Sequence, residues 1–161
     1  MARRRTEVIE FRVEDTGAVV RAMDDLATRH DGWLNLHPHV RPEDEPPPQR
    51  GLGTMLLAGA VHDVPVCTWV AGKVGRNGVQ PDSVGVQHAV GTRVLARLTS
   101  AGVGLPEGWR LVQDHPRRGL VVTPPTHADH GAVLTWLLEA GMVVSAVRLT
   151  GDWRAEVHLA V

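Results

Sequence analysis

The stretch GWRLVQDHPRRGLVVTPPTHADHGAVLTWLLEAGMVVSAVRLTGDWRAEVHLAV, residues 108–161, decides the fold. It reads as a hairpin, one amphipathic helix and a second hairpin. Thr126 stands where a helix cap belongs, with Asp129 three residues on as its capping-box partner near the positive end of the dipole. Val133, Trp136, Leu137 and Ala140 recur at i, i+3, i+4 and i+7, which makes one apolar stripe. Gly141 supplies the left-handed residue that would stop the helix. Val143, Ser145, Val147 and Leu149 then share a face, and Gly151-Asp152 has the form of a two-residue hairpin turn with glycine first. From there Trp153, Ala155, Val157, Leu159 and Val161 face one way and Arg154, Glu156 and His158 the other. That is a half-buried strand with one wet face, and it would make a suitable sheet edge for pairing between subunits.

Near the N-terminus, Ile9, Phe11 and Val13 alternate with Glu10, Arg12 and Glu14 as a first strand. Asp15 or Thr16 opens a helix lined by Val19, Met23 and Leu26, which Gly32 ends, and residues 33–37 form a second strand closed by Pro38. Residues 41–53 are acidic and proline-rich, so they cannot form a ladder and are expected to be an extended, mobile loop. Apolar runs at 55–61 and 66–71 flank His62-Asp63-Val64-Pro65 and suggest a hairpin. A helix is expected from about Val84 to Ala101, weakened by Gly85 and Gly91 by about 1 kcal/mol each relative to Ala. The hairpin-helix order occurs twice, which points to a single α+β domain over residues 1–161. Its sheet is mostly antiparallel with about three helices on one face, and an elaborated ferredoxin-like plait is one version.

Composition narrows the function. The formal charge is -1 and the pI about 6.8, which disfavours a dedicated nucleic-acid binder. The single cysteine, Cys67, excludes an internal disulfide and a cysteine-only zinc site. No apolar run reaches the roughly 18 residues of a membrane span. Arg3 to Arg5 are followed by Glu7, Glu10 and Arg12 rather than an apolar segment, so no export signal is expected and the location is read as cytoplasmic.

Four constellations could carry chemistry. Lys73 and Arg76 sit in a glycine-rich loop between a strand and a helix, an arrangement that can cradle phosphate. The loop matches neither Gly-x-Gly-x-x-Gly nor Walker A, because Val74 stands where a Ser or Thr must follow the lysine. In the turn 114–119, Arg117 and Arg118 offer planar donors for carboxylate or phosphate, and Asp114 could orient His115 as a general base. An anion site gains weight if these two loops meet. His37 and His39, and His127 and His130, have spacings found in metal sites and suggest a divalent ion such as zinc. Nucleophilic catalysis finds no support, since Ser83, Ser100 and Ser145 lie outside any nucleophile elbow and Cys67 falls within an apolar strand. Trp33, Trp109 and Trp153 begin strands, where an amphipathic ring often sits half exposed. The expected function is a non-catalytic module, without a cofactor, that binds an anionic small molecule or a protein partner. Homodimerisation through the C-terminal strand is an added possibility. A metal-assisted hydrolase and a structural or assembly protein are the alternatives.

Overall fold

Short alternating runs closed by turns favour an antiparallel sheet, and a computed structural model describes one over residues 4–46 and 63–160. In chain order the elements are β1 (Arg4–Arg12), α1 (Gly17–Arg29), β2 (Trp33–Pro38), a 3-10 turn (Pro42–Asp44), β3 (Val66–Val70), β4 (Val74–Gly75) and β5 (Gly78–Val79). They continue with β6 (Ser83–Gln87), α2 (Val94–Ser100), β7 (Arg110–His115), β8 (Gly119–Thr123), α3 (His130–Val144) and β9 (Asp152–Ala160). Seven strands form one sheet in the order β1-β9-β2-β3-β6-β8-β7, every neighbouring pair antiparallel, while β4 and β5 form a separate small ribbon. With three helices on one face among the described residues, the fold is α+β. The strand order lends no support to the narrower ferredoxin-like description.

The core lies between sheet and helices. Leu34 and Leu36, Cys67 and Trp69, Val84 and Val86, Leu120 and Val122, and Trp153, Ala155 and Val157 turn inward at alternate positions and are buried. Each large side chain removed from water in this way stabilises the fold by about 1.5–3 kcal/mol. The helix α1 buries one stripe, Val19, Met23 and Leu26, against β1, β2 and β9. The helix α3 is apolar around most of its circumference because it lies between α1 and α2, over β3 and β6. A Cβ at Gly141 would stand 2.9 Å from Trp153 and 3.0 Å from the Cys67 thiol, so the glycine permits the close approach of α3 to the sheet.

Several expectations change. The C-terminal strand is not an edge: β9 lies between β1 and β2, and among the described residues the sheet edges are β1 and β7. Period-2 alternation reports which face is wet and carries no information on lateral position. Paired on both sides, β9 offers no free edge of the kind expected for pairing with a second copy. Trp153 is buried, whereas Trp33 and Trp109 are half-buried as expected. The long helix expected at 84–101 shrinks to Val94–Ser100, because Val84 and Val86 serve as alternating inward residues of β6. Helix α3 is capped by Asp129, whose side chain accepts from the Ala132 N–H, rather than by Thr126, and it runs past Gly141 to Val144. Residues 145–149 form no strand. The apolar run 55–61, His62 and loop positions 47–53 lie outside the described residues.

Candidate functional site

The edge strand β7 and its turn hold the second predicted constellation, rearranged. A β-bulge between Leu111 and Gln113 separates two regular stretches of pairing with β8. Asp114 faces the helical layer, where its two oxygens accept the Val94 and Leu95 N–H groups 3.2 and 3.1 Å away. It thereby caps α2, whose preceding residue, Arg93, makes no side-chain capping bond. His115 accepts the N–H groups of Arg117 and Arg118 at its Nδ1, each at 3.1 Å. Asp114 and His115 are thus each engaged in local structure, facing different partners, and no hydrogen bond links them as an acid–base pair. The turn's glycine is required, since Gly119 has a φ of 84° and a Cβ there would stand 2.6 Å from the Val86 carbonyl oxygen.

With its carboxylate turned inward, this edge is left basic. Arg93 and Arg97 on and beside α2, Arg110 at the start of β7, and Arg117 and Arg118 in the turn are all exposed. None forms an ion pair with a described residue. Residues 93–123 hold these five arginines against Glu107 and Asp114, a formal +3 within a chain of -1. Between the arginines, Leu111 and Val112 are 47% and 64% exposed. Arg118 also borders a depression of about 240 Å³ on the sheet face opposite the helices, with Gly85 in its floor and Thr68, Ser83, Gln87 and Val121 around it.

Lys73 and Arg76 do not join this edge. They belong to the β4–β5 ribbon, which leaves the sheet at the Val70–Ser83 end, whereas Gly119 lies against Val86 and Gln87 at the other end of β6. The two basic loops are separated by the length of that strand.

The histidines likewise divide. His39 bonds Glu10 at 2.7 Å, and His37 lies 3.6 Å from Glu156 on the face away from the helices. His130 opens α3 on the opposite face, and its ring lies between two carboxylates, Nδ1 at 2.6 Å from Asp24 and Nε2 at 3.3 Å from Asp82. Asp82 also accepts the Gly72 N–H at 2.8 Å and the Trp69 indole N–H at 3.1 Å. The Asp82 bond, opposed by burial and reinforced by Asp24, raises the pKa of His130 above that of an ordinary histidine. Burial pushes the Asp82 carboxyl up, but His130, Gly72 and Trp69 together hold it below the usual carboxylate range. His127, in a left-handed conformation, and His30, the left-handed cap of α1, line a cavity of about 100 Å³ beside this cluster. Among the described residues, no three His, Cys, Asp or Glu side chains are grouped as a metal shell. With a carboxylate facing each ring nitrogen, His130 ties together α1, α3 and the approach to β6. The Cys67 thiol is pushed up to about 12 by burial and donates to the Leu137 carbonyl.

Sequence reasoning missed Arg93, Arg97 and Arg110, although a running charge count over 93–123 would have found them. It also missed Asp24 and Asp82, which no local spacing connects to His130. No helix among the described residues is long and apolar enough to cross a membrane. No protein-family model, no characterised protein and no solved structure matches the chain.

Proposed function

We propose that this chain is a non-catalytic binding module whose binding edge is β7 with its flanking turn and α2, and whose ligand is anionic. The observation that supports it is the concentration of five exposed arginines, without ion-pair partners among the described residues, around one sheet edge of a chain that is net negative. Unpaired guanidinium groups are suited to bind carboxylate or phosphate bidentately and to attract anions over a Debye length of about 8–10 Å. Lys73 and Arg76, at the far end of β6, are not part of this site. The proposal keeps the cytoplasmic setting read from the sequence. The metal-assisted hydrolase reading is the weaker one, because its four histidines fall on two faces of the sheet and His130 is already held by two carboxylates.

The test is binding of a fluorescent polyglutamate and of citrate, followed by anisotropy and by thermal shift at low and moderate salt. Saturation at a hundred times the dissociation constant should stabilise the fold by about 2.7 kcal/mol. Binding should weaken with salt and fall at least tenfold in an Arg117→Ala, Arg118→Ala protein. Equal binding by that protein, or no binding of either anion, overturns the proposal.

A further inference from the structure

We infer that the ligand of this edge is an extended acidic polypeptide that adds to β7 as a further strand. This rests on the reading of β7 as the binding edge and names the chemistry of the occupant. Three observations converge on it. First, β7 is the last strand of the sheet among the described residues, where the main-chain groups on its outer side have no neighbouring strand. Such groups are a template for an incoming extended chain. Second, Leu111 and Val112 are the exposed apolar pair on that strand, and an incoming strand would cover them. Third, the arginines stand on both sides of the pair, Arg110 before it, Arg117 and Arg118 beyond it, and Arg97 on the helix that packs against β7. An acidic sequence complements that charge, and a basic or neutral one does not.

A peptide suits this edge better than a nucleic acid. Strand addition uses main-chain donors and acceptors together with aliphatic side chains, and single-stranded nucleic acid needs open aromatic faces for stacking. No Trp or Phe lies within β7 itself. Trp33 is stacked on His158 with Arg4 over its ring, and Trp109 packs against Trp136. The bulge at Val112 breaks the ladder. An incoming strand can therefore pair only over short stretches, leaving the arginines and the apolar pair to supply most of the affinity.

The experiment uses the full chain and four labelled probes of equal length or charge. They are an octapeptide of alternating glutamate and valine, its alternately N-methylated form, its glutamine analogue, and inorganic polyphosphate, with a single-stranded oligonucleotide alongside. Anisotropy gives the affinities and hydrogen exchange reports the β7 amides. The expected result is that the octapeptide binds at least tenfold more tightly than the N-methylated and glutamine forms and slows exchange in residues 110–115. A Leu111→Thr, Val112→Thr protein should bind it severalfold more weakly while unfolding at the same denaturant concentration. If the N-methylated peptide, the polyphosphate or the oligonucleotide binds as tightly as the octapeptide, strand addition is wrong and the edge is a general anion surface, which leaves the proposed function standing. If no probe binds, both fail together.

Discussion

Along β1 each acid meets a base. Glu7 lies 3.0 Å from Arg5, Glu10 is bonded by His39 at 2.7 Å and Arg154 at 3.1 Å, and Glu14, just beyond the strand, takes Arg12 at 3.3 Å. Its exposed apolar residue, Val8, stands alone among these pairs. Along β7 the one carboxylate, Asp114, is turned inward to cap α2, and the arginines around Leu111 and Val112 have no ion-pair partner among the described residues. A sheet edge invites unwanted pairing, and mixed paired charges are a common guard against it. The β1 edge has that guard. The β7 edge has only its bulge, because its one carboxylate is committed to a helix cap and is not available to pair with the neighbouring arginines.

Charge separates the two edges most strongly. Reversing Arg110, Arg117 and Arg118 to Glu should weaken binding of the acidic octapeptide about a hundredfold, equivalent to ~2.7 kcal/mol. The same reversal of Arg5 and Arg12 on β1 should change it by less than about threefold. If both edges respond alike, the binding surface is not β7.

The next effect concerns the ties that hold each side of the sheet to its helices. On the β1 side the tie is Asp24–His130–Asp82. His130→Gln should cost about 2 kcal/mol by denaturant unfolding near pH 6, since it leaves a half-buried carboxylate without its charged partner. Because the folded pKa of His130 is raised, its contribution is complete below the unfolded value near 6.5 and is lost as pH climbs through the folded pKa. Asp82 behaves oppositely: its pKa is lowered, so its contribution is present above about 3.9 and lost as pH falls through the folded value. The gap between wild type and the variant should therefore be widest between about pH 4 and 6.5 and should narrow toward pH 9. A gap that widens there would show that His130 is held neutral.

On the β7 side the tie is the Asp114 cap. Asp114→Ala should cost about 1–2 kcal/mol and loosen α2, read as faster amide exchange at Val94 and Leu95. Smallest of all is Glu10→Gln on β1. The hydrogen bond from His39, then that from Arg154, lowers the Glu10 carboxyl, yet the group is exposed and screened by solvent. The loss should stay below about 0.5 kcal/mol in unfolding experiments at neutral pH.

Much of this was legible in local pattern. The alternation of β1 and β9 and the stripes of α1 and α3 depend on neighbours two to four residues apart, so the sequence displays them directly. Lateral strand order is set by contacts across more than a hundred residues, which is why β9 could be recognised as a strand and misplaced at an edge. The valines at 84, 86, 90 and 94 satisfy both a helical and an extended spacing, and only burial of Val84 and Val86 against β3 and β8 decides between them. At the site, Arg117 and Arg118 were visible in one turn. Arg93 and Arg97 join them through the docking of α2 on β7, a tertiary event, as is the meeting of Asp24, Asp82 and His130.

The interior place of β9 has a consequence for how the chain acquires its shape. Arg4 pairs with Ala160 and Arg12 with Asp152, and Trp33 pairs with His158 on the same strand. β1 has no partner strand, and β2 only β3 on its other side, until Asp152–Ala160 has been synthesised. Until then two strands made early must wait with a gap between them, and closing it requires very long chain loops. Such distant pairing is slow, on the order of milliseconds to seconds for sheets of high contact order. During that interval the unfilled slot between β1 and β2 is itself a pair of open edges. The nascent chain therefore passes through its most association-prone state just before the sheet completes.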